Sequence, residues 1–136
     1  MMTAAAVGAG FSPEVFARFW AAPNLEVVPD ALTEDVVGHW PGRREPVRGR
    51  DEYTKCIADL LRAVPDFHGE VLEHASSGDL FFVRWRMVGT GATGPFELTG
   101  IDRVRVRDGR VAENVIVFDT AEFRERVGYD VPWADA

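Results

Sequence analysis

Beyond Phe67 the chain alternates apolar and polar residues with the period of a strand, whereas its earlier apolar stripes mostly recur with the period of a helix. Ser12-Pro13-Glu14 offers a hydroxyl cap, a first-turn proline and an acid at the positive end of a helix dipole. Val15, Phe16, Phe19 and Trp20 follow as one aromatic face, closed by Pro23-Asn24. The pattern then predicts a short second helix over Leu25 to Leu32, limited by Pro29, and a strand over Glu34 to Trp40 stopped by Pro41-Gly42. A polar loop, residues 42–49, precedes the clearest helix, Arg50 to Val64, striped by Tyr53, Ile57, Leu60, Leu61 and Val64. Pro65-Asp66 breaks it. Strands are predicted over Phe67 to Ala75, Leu80 to Thr90, Phe96 to Val106 and Arg110 to Phe118. Thr120 to Val127 reads as a final short helix or an extended tail.

The hairpin around Asp108-Gly109 decides what faces inward. Pairing with even parity across that turn puts Phe96, Leu98, Asp102, Val104 and Val106 on one face, with Ala112, Asn114, Ile116 and Phe118 beside them. The opposite face carries Arg103, Arg105, Arg107 and Glu113 among Val111, Val115 and Val117. A slip of one residue would exchange the two faces. In the favoured register a single carboxylate, Asp102, is aimed at an oily surface with the amide of Asn114 close to opposite.

Helices first and a strand meander second predict an α+β fold. Its plan is a cone-shaped, curved antiparallel sheet covered on one face by about three N-terminal helices. A cone of this kind encloses an apolar interior suited to a small molecule. The domain is expected to span 11–128, after a flexible leader (1–10) and before a tail (129–136). Charge and composition narrow the partners. With 136 residues, 46% of them hydrophobic, and a net charge of −7, the chain has core enough for one domain and argues against nucleic acid or an anionic membrane as partner. No stretch approaches the ~20 apolar residues of a membrane span, and MMTAAAVGAG lacks the basic start of a secretion signal. The lone Cys56 excludes an internal disulfide and fits a reducing, cytoplasmic compartment, as a packed thiol rather than a nucleophile.

Several phrases, in this order, resemble the SnoaL-like polyketide cyclases of the nuclear transport factor 2-like superfamily, which also holds ketosteroid isomerase. They are Asp35-Val36-Val37-Gly38-His39-Trp40-Pro41-Gly42, Val47-Arg48-Gly49-Arg50-Asp51, Val64-Pro65-Asp66-Phe67, Val83-Arg84-Trp85 with Gly89-Thr90-Gly91, and residues 102–111, beginning Asp102-Arg103-Val104. The resemblance covers about residues 11–123. It implies the cone fold, an enclosed pocket, dimerisation through the outer sheet face and acid–base chemistry without a cofactor. The strand position before Pro41, an acid in many relatives and the isomerase's general base, is Trp40 here. The cyclases' acid–base aspartate position corresponds to Ile116, and the isomerase's helix-one tyrosine falls near Phe16. Asp102 matches the isomerase's oxyanion-hole aspartate.

The candidate catalytic residues are therefore Asp102, Asn114, His39 and Tyr53. An acid in an apolar cone holds its proton more tightly, so Asp102 would donate to, or withdraw from, a substrate oxygen or carbon near neutrality. Asn114 would orient it, Tyr53 would supply a neutral donor, and His39 has the right intrinsic pKa for proton transfer. His39 joins the set only if a bulge before Pro41 turns it inward beside Trp40. His68 and His74, sharing parity with Glu70, make a weak metal signal, and no metal site is expected. The expected walls are Phe16, Phe19, Trp20, Trp40 and Trp85, with Met87, Phe96, Leu98, Ile116 and Phe118. Arg84, Arg86, Arg103 and Arg105 are placed outside, where bridges to Glu113 or Glu97 would support an isologous homodimer. The leading expectation is a cyclase, isomerase or dehydratase acting on a small hydrophobic oxygenated molecule. Two alternatives stay open: a non-catalytic small-ligand binder, and an epoxide hydrolase-like enzyme.

Overall fold

A computed structural model describes residues 10–135. The leader expected at 1–10 lies outside these residues except for Gly10. Helix α1 (Pro13–Ala21) starts as its sequence dictates: Ser12 Oγ accepts from the Val15 N–H at 3.2 Å and proline opens the first turn. The helix expected over Leu25 to Leu32 is instead two single 3₁₀ turns, Leu25–Val27 and Pro29–Ala31. Pro29 has no N–H to continue a helical ladder, so the segment restarts at that residue. Strand β1 (Leu32–His39) follows directly, then the short β2 (Val47–Arg48) and helix α2 (Arg50–Ala63), which buries Tyr53, Cys56, Ile57 and Leu60 on one stripe.

The meander comprises β3 (His68–Ser77), β4 (Leu80–Gly91), β5 (Gly94–Arg107) and β6 (Arg110–Val117), and helix α3 (Thr120–Val127) closes the fold. Asp119 caps α3 by accepting from the N–H groups of Ala121 and Glu122, and Gly128 ends it with a left-handed φ of 101°. The strands form one sheet in the order β2-β1-β6-β5-β4-β3. Every neighbouring pair is antiparallel except β1 with β6, which run parallel, so the sheet is mixed rather than wholly antiparallel. Two strands can pair in parallel only through a long connection, and α2 with four strands, β2 to β5, supplies it here. Of the covering helices, α1 and α2 come from the N-terminal half and α3 from the C-terminus.

The predicted hairpin forms, with positive φ at both Asp108 (54°) and Gly109 (77°), as a two-residue turn matched to strand twist requires. Asp102 faces Ile116 and Val104 faces Asn114, the register that even parity gives. One departure lies next to the turn. The register shifts by one between Arg105 and Val106, so that Val106 pairs with Val111. This bulge buries both Val111 and Ala112 and brings Val111, expected outside, to the inner face. Along β4 alternation is clean: Phe81, Val83, Trp85 and Met87 are buried while Phe82 and Arg84 stand outside.

On the outer face the arginines are engaged within the chain. Arg84 meets Glu73 and Arg86 meets Glu70, each at 2.6 Å, and Arg103 meets Glu113 at 2.7 Å. The carboxylates expected to bridge two copies are thus already partnered: Glu113 by Arg103, and Glu97 by Arg86 at 4.0 Å. No helix among the described residues is long and apolar enough to cross a membrane.

Candidate functional site

Between the concave sheet face and the helices lies a cavity of about 440 Å³. Strand β5 carries Asp102 to its floor, where the residue is only 5% exposed. Both carboxylate oxygens are held. Trp85, from β4, donates its indole N–H to Oδ1 at 2.8 Å, and Asn114, from β6, donates its amide to Oδ2 at 2.9 Å. The same Asn114 nitrogen donates to the hydroxyl oxygen of Tyr53, from α2, at 2.7 Å. Three secondary-structure elements beside β4 thereby converge on one chain of hydrogen bonds, Trp85–Asp102–Asn114–Tyr53. Asn114 reaches Asp102 diagonally across the ladder, since its direct partner is Val104.

The electrostatics follow from burial. Asp102's pKa is pushed up to about 6, because burial penalises the carboxylate more than its bonds from Asn114 and Trp85 stabilise it. Burial also raises the Tyr53 hydroxyl above its ordinary value, so it stays neutral and its proton remains available as a donor. Cys56 is a buried free thiol pushed up to about 11 by burial, a packing residue rather than a nucleophile.

Of the four candidate catalytic residues the structure brings together Asp102, Asn114 and Tyr53 and leaves His39 apart. No bulge reverses the parity before Pro41. His39 stands on the other side of the sheet, its Nε2 3.1 Å from Glu113 Oε2, within the outer-face charge network. Among the expected wall residues, Phe16, Phe19 and Trp20 line the chamber from α1, and Trp40, Met87, Leu98 and Ile116 line it from the sheet side. Trp85 lines it too, but as a hydrogen-bond donor and not merely a wall. Phe118 lines it from just past the end of β6, its ring 6.0 Å from that of Trp85 and 5.8 Å from that of Phe123. Phe96 does not line the chamber. It packs against Phe67, centroids 6.4 Å apart, and it is Phe67 that presents a face to the cavity.

Trp133 is the main residue that periodicity misses. It lies beyond α3 in the stretch expected to be a tail, yet it is buried and lines the chamber. Its indole donates to the Pro41 carbonyl at 2.7 Å and its ring meets Trp40 edge-on at 4.6 Å. The available signal was compositional: a tryptophan in a polar, helix-free terminus has to be covered by something. Arg18 and Asp30 are also missed. Both line the chamber and both are exposed. Trp40 meets both Tyr53 and Trp133 edge-on, and its indole N–H has no hydrogen-bond partner among the described residues.

Comparisons with known proteins agree with this architecture. A comparison with curated proteins finds no match. Among solved structures, IdmH, a candidate polyketide cyclase from Streptomyces antibioticus, is 24% identical over 87% of this chain and 99% of its own, with a TM-score of 0.72. A loop-truncation variant of IdmH is 26% identical over 86% of this chain and 100% of its own, with a TM-score of 0.74. TerC, crystallised with polyporic acid, is 19% identical over 86% of this chain and 99% of its own, with a TM-score of 0.72. A protein of ketosteroid isomerase-like fold from Catenulispora acidiphila DSM 44928, in complex with trimethylamine, is 15% identical over 88% of this chain and 94% of its own, with a TM-score of 0.72. The sequence profile described as the SnoaL-like domain matches residues 14–114. With most of its length inside that match, and with the cone and chamber its strands build, the chain belongs to the SnoaL-like domain family.

Proposed function

We propose that this protein is an acid–base enzyme of the cyclase or isomerase kind, acting on a small, largely apolar carbonyl compound held in the chamber, with its own side chains moving the protons. The observation that carries the reading is the chamber floor: a buried carboxylate with a pKa near 6, joined through one amide to a neutral phenol. Perturbed carboxylates in apolar clefts are where proton transfer is organised. Family membership and the fold shared with IdmH support the same class of chemistry. The small ligands in TerC and the Catenulispora protein support a chamber that takes small molecules.

The proposed step is enolisation. Ionised Asp102 takes a proton from the carbon next to the substrate carbonyl; the C–H electron pair forms a C=C bond and the carbonyl π pair moves to oxygen. Tyr53, whose oxygen accepts from Asn114, donates its own proton in a hydrogen bond to that oxygen. Where the substrate carries a β,γ C=C bond, the enolate extends over it as a dienolate. Asp102 then returns the proton to the γ carbon, moving the C=C bond into conjugation with the carbonyl and giving isomerisation. Alternatively the enolate carbon attacks a second carbonyl carbon of the same molecule, and the proton ends on the new alkoxide, giving cyclisation. Hydrogen–deuterium exchange at the carbon next to the carbonyl of 2-tetralone, followed by NMR in D₂O, tests this directly. Wild-type protein should accelerate exchange and Asp102→Asn should abolish the acceleration; equal rates for the two would remove Asp102 from the chemistry.

A second reading, a non-catalytic binding protein, has its own support in Trp40 and Ile116 at acid positions and in an Asp102 whose two oxygens both already accept an N–H. Saturable binding without exchange would favour it. Epoxide opening has less support, because the carboxylates lining the chamber among the described residues are Asp102 and the exposed Asp30. We also propose a homodimer through the outer sheet face, where Phe82, Ile101 and Val117 are 43%, 42% and 55% exposed. Light scattering at micromolar concentration should give twice the monomer mass. A cytoplasmic setting fits the free, buried thiol of Cys56.

A further inference from the structure

We propose that Arg18 is a specificity residue, selecting chamber ligands that carry an anionic oxygen group, carboxylate or phosphate, at their solvent end. The proposal rests on the chamber being a ligand site but not on the acid–base reading of Asp102.

Among the described residues Arg18 is the only cationic side chain that lines the chamber. It projects from the last turn of α1, exposed, next to Phe19 and Trp20, which form the adjoining wall. In this acidic chain most arginines are matched to carboxylates, whereas Arg18 has no acidic partner among the described residues. Its natural partner would be Glu14, one helical turn earlier, at the spacing that stabilises a Glu–Arg pair. Glu14 is turned instead toward His74, with Oε2 and Nε2 4.0 Å apart. The guanidinium is thus left uncommitted beside an apolar chamber.

The exposed carboxylate lining the same chamber among the described residues is Asp30. Arg110 sits against that residue, its Nε donating to the Asp30 carbonyl at 3.1 Å, and offsets the local negative field. At the far end each Asp102 oxygen already accepts one N–H, from Trp85 or Asn114. A ligand with an apolar body and one terminal oxyanion therefore fits end to end: body against the aromatic walls, oxyanion in the fork of Arg18. A planar guanidinium recognises carboxylate and phosphate alike, through paired N–H donors.

Calorimetric titration with two matched pairs tests this at low salt: 2-naphthoate against 2-naphthamide, and 2-naphthyl phosphate against 2-naphthol. The wild type should bind each anion about tenfold more tightly than its neutral counterpart, the preference shrinking as salt is added. Arg18→Gln should bring each ratio to about one while leaving affinity for the neutral member unchanged, and Arg18→Lys should keep part of the preference. A preference for one anion alone would tell carboxylate from phosphate as the group recognised. Equal binding of anion and neutral by the wild type would overturn the proposal, as would a preference that survives in Arg18→Gln. Absence of saturable binding by all four probes would overturn it together with the reading of the chamber as a ligand site. Because Asp102→Asn keeps Arg18 and only removes a negative charge from the chamber, it should keep or raise the anion preference, so a failure of the acid–base reading is separable from a failure here.

Discussion

Asp102→Asn should make the protein more stable at neutral pH, and the gain should grow with pH in a defined window. Folding carries the Asp102 pKa from its ordinary 3.8 to about 6. The folded state therefore binds this proton more tightly than the unfolded chain does. The stability contributed by the protonated acid is fully present below about pH 4 and is lost as pH rises through about 6. Across that window the loss is on the order of 3 kcal/mol. An asparagine does not titrate. Its oxygen can still accept from Trp85, and its amide can donate to Asn114 once the Asn114 amide turns over. Tyr53 then donates to the same Asn114 oxygen. The exchange leaves one unpartnered Asn114 atom, as in the wild type, where Oδ1 has none. Ionisation is thus the main difference between the two proteins. Urea unfolding of both from pH 4 to 8 isolates it, since every other titrating group is common to both. The variant's advantage should widen by about 3 kcal/mol toward high pH. A difference independent of pH, or one that narrows, would refute the placement of Asp102 as a desolvated acid.

Three further perturbations probe the same floor and its walls. Tyr53→Phe removes the hydroxyl that accepts from Asn114 and should cost about 1 kcal/mol in urea unfolding while slowing tetralone exchange about 100-fold. A rate within twofold of wild type would take Tyr53 out of the mechanism. Trp85→Phe deletes the N–H held by Asp102 Oδ1, so the Asp102 pKa should move up from about 6 by roughly one pH unit or more, read from the carboxyl ¹³C shift of labelled aspartate. A downward shift would contradict the bond's assigned role. Gly38→Ala would set a Cβ 2.5 Å from Trp40 Nε1 and 2.8 Å from Tyr53 Cε2, contacts neither ring can yield easily because each is packed on the other. About 1–3 kcal/mol of lost stability is expected, with weakened ligand binding, and an unaffected urea midpoint would show the rings to be looser than described.

The strand meander was legible because its signal is local. Alternation marks both strands of the Asp108-Gly109 hairpin, and the even pairing that keeps their apolar residues together puts Asp102 and Asn114 on the inner face. A regular ladder from the turn, where Arg107 pairs with Arg110, would separate them, and the bulge between Arg105 and Val106 supplies the even register. What was not legible depended on contacts distant in sequence. The parallel pairing of β1 with β6 leaves no trace in either strand's own pattern. The bulge that turns Val111 inward is one unpaired residue beside the turn, invisible to a parity count that assumes a regular ladder. His39 could be weighed from parity but not decided without knowing whether β1 bulges at Pro41. Trp133 falls outside any periodic segment, so only its final contact with Trp40 and the Pro41 carbonyl reveals its place. Trp85 was legible as an apolar wall; that its one polar atom would find Asp102 required the β4–β5 register, in which Trp85 lies opposite Gly100 and diagonal to Asp102.

Gly100 explains why that diagonal contact is possible. A Cβ there would lie 2.4 Å from Trp85 Cζ2 and 2.5 Å from Cη2, so the indole lies over the space a side chain would fill, and from there its N–H reaches across to β5. The carboxylate is thereby held from one side by β4 and from the other by β6, which leaves each oxygen one lone-pair direction for a substrate proton. With Asp102 the one buried carboxylate lining the chamber among the described residues, a single group must both take the proton and give it back. Chemistry that needs a separate base to activate water is poorly served by such a floor. Chemistry in which one proton leaves carbon and returns elsewhere in the same molecule is well served, which is why the proposed activity is isomerisation or intramolecular ring closure rather than hydrolysis.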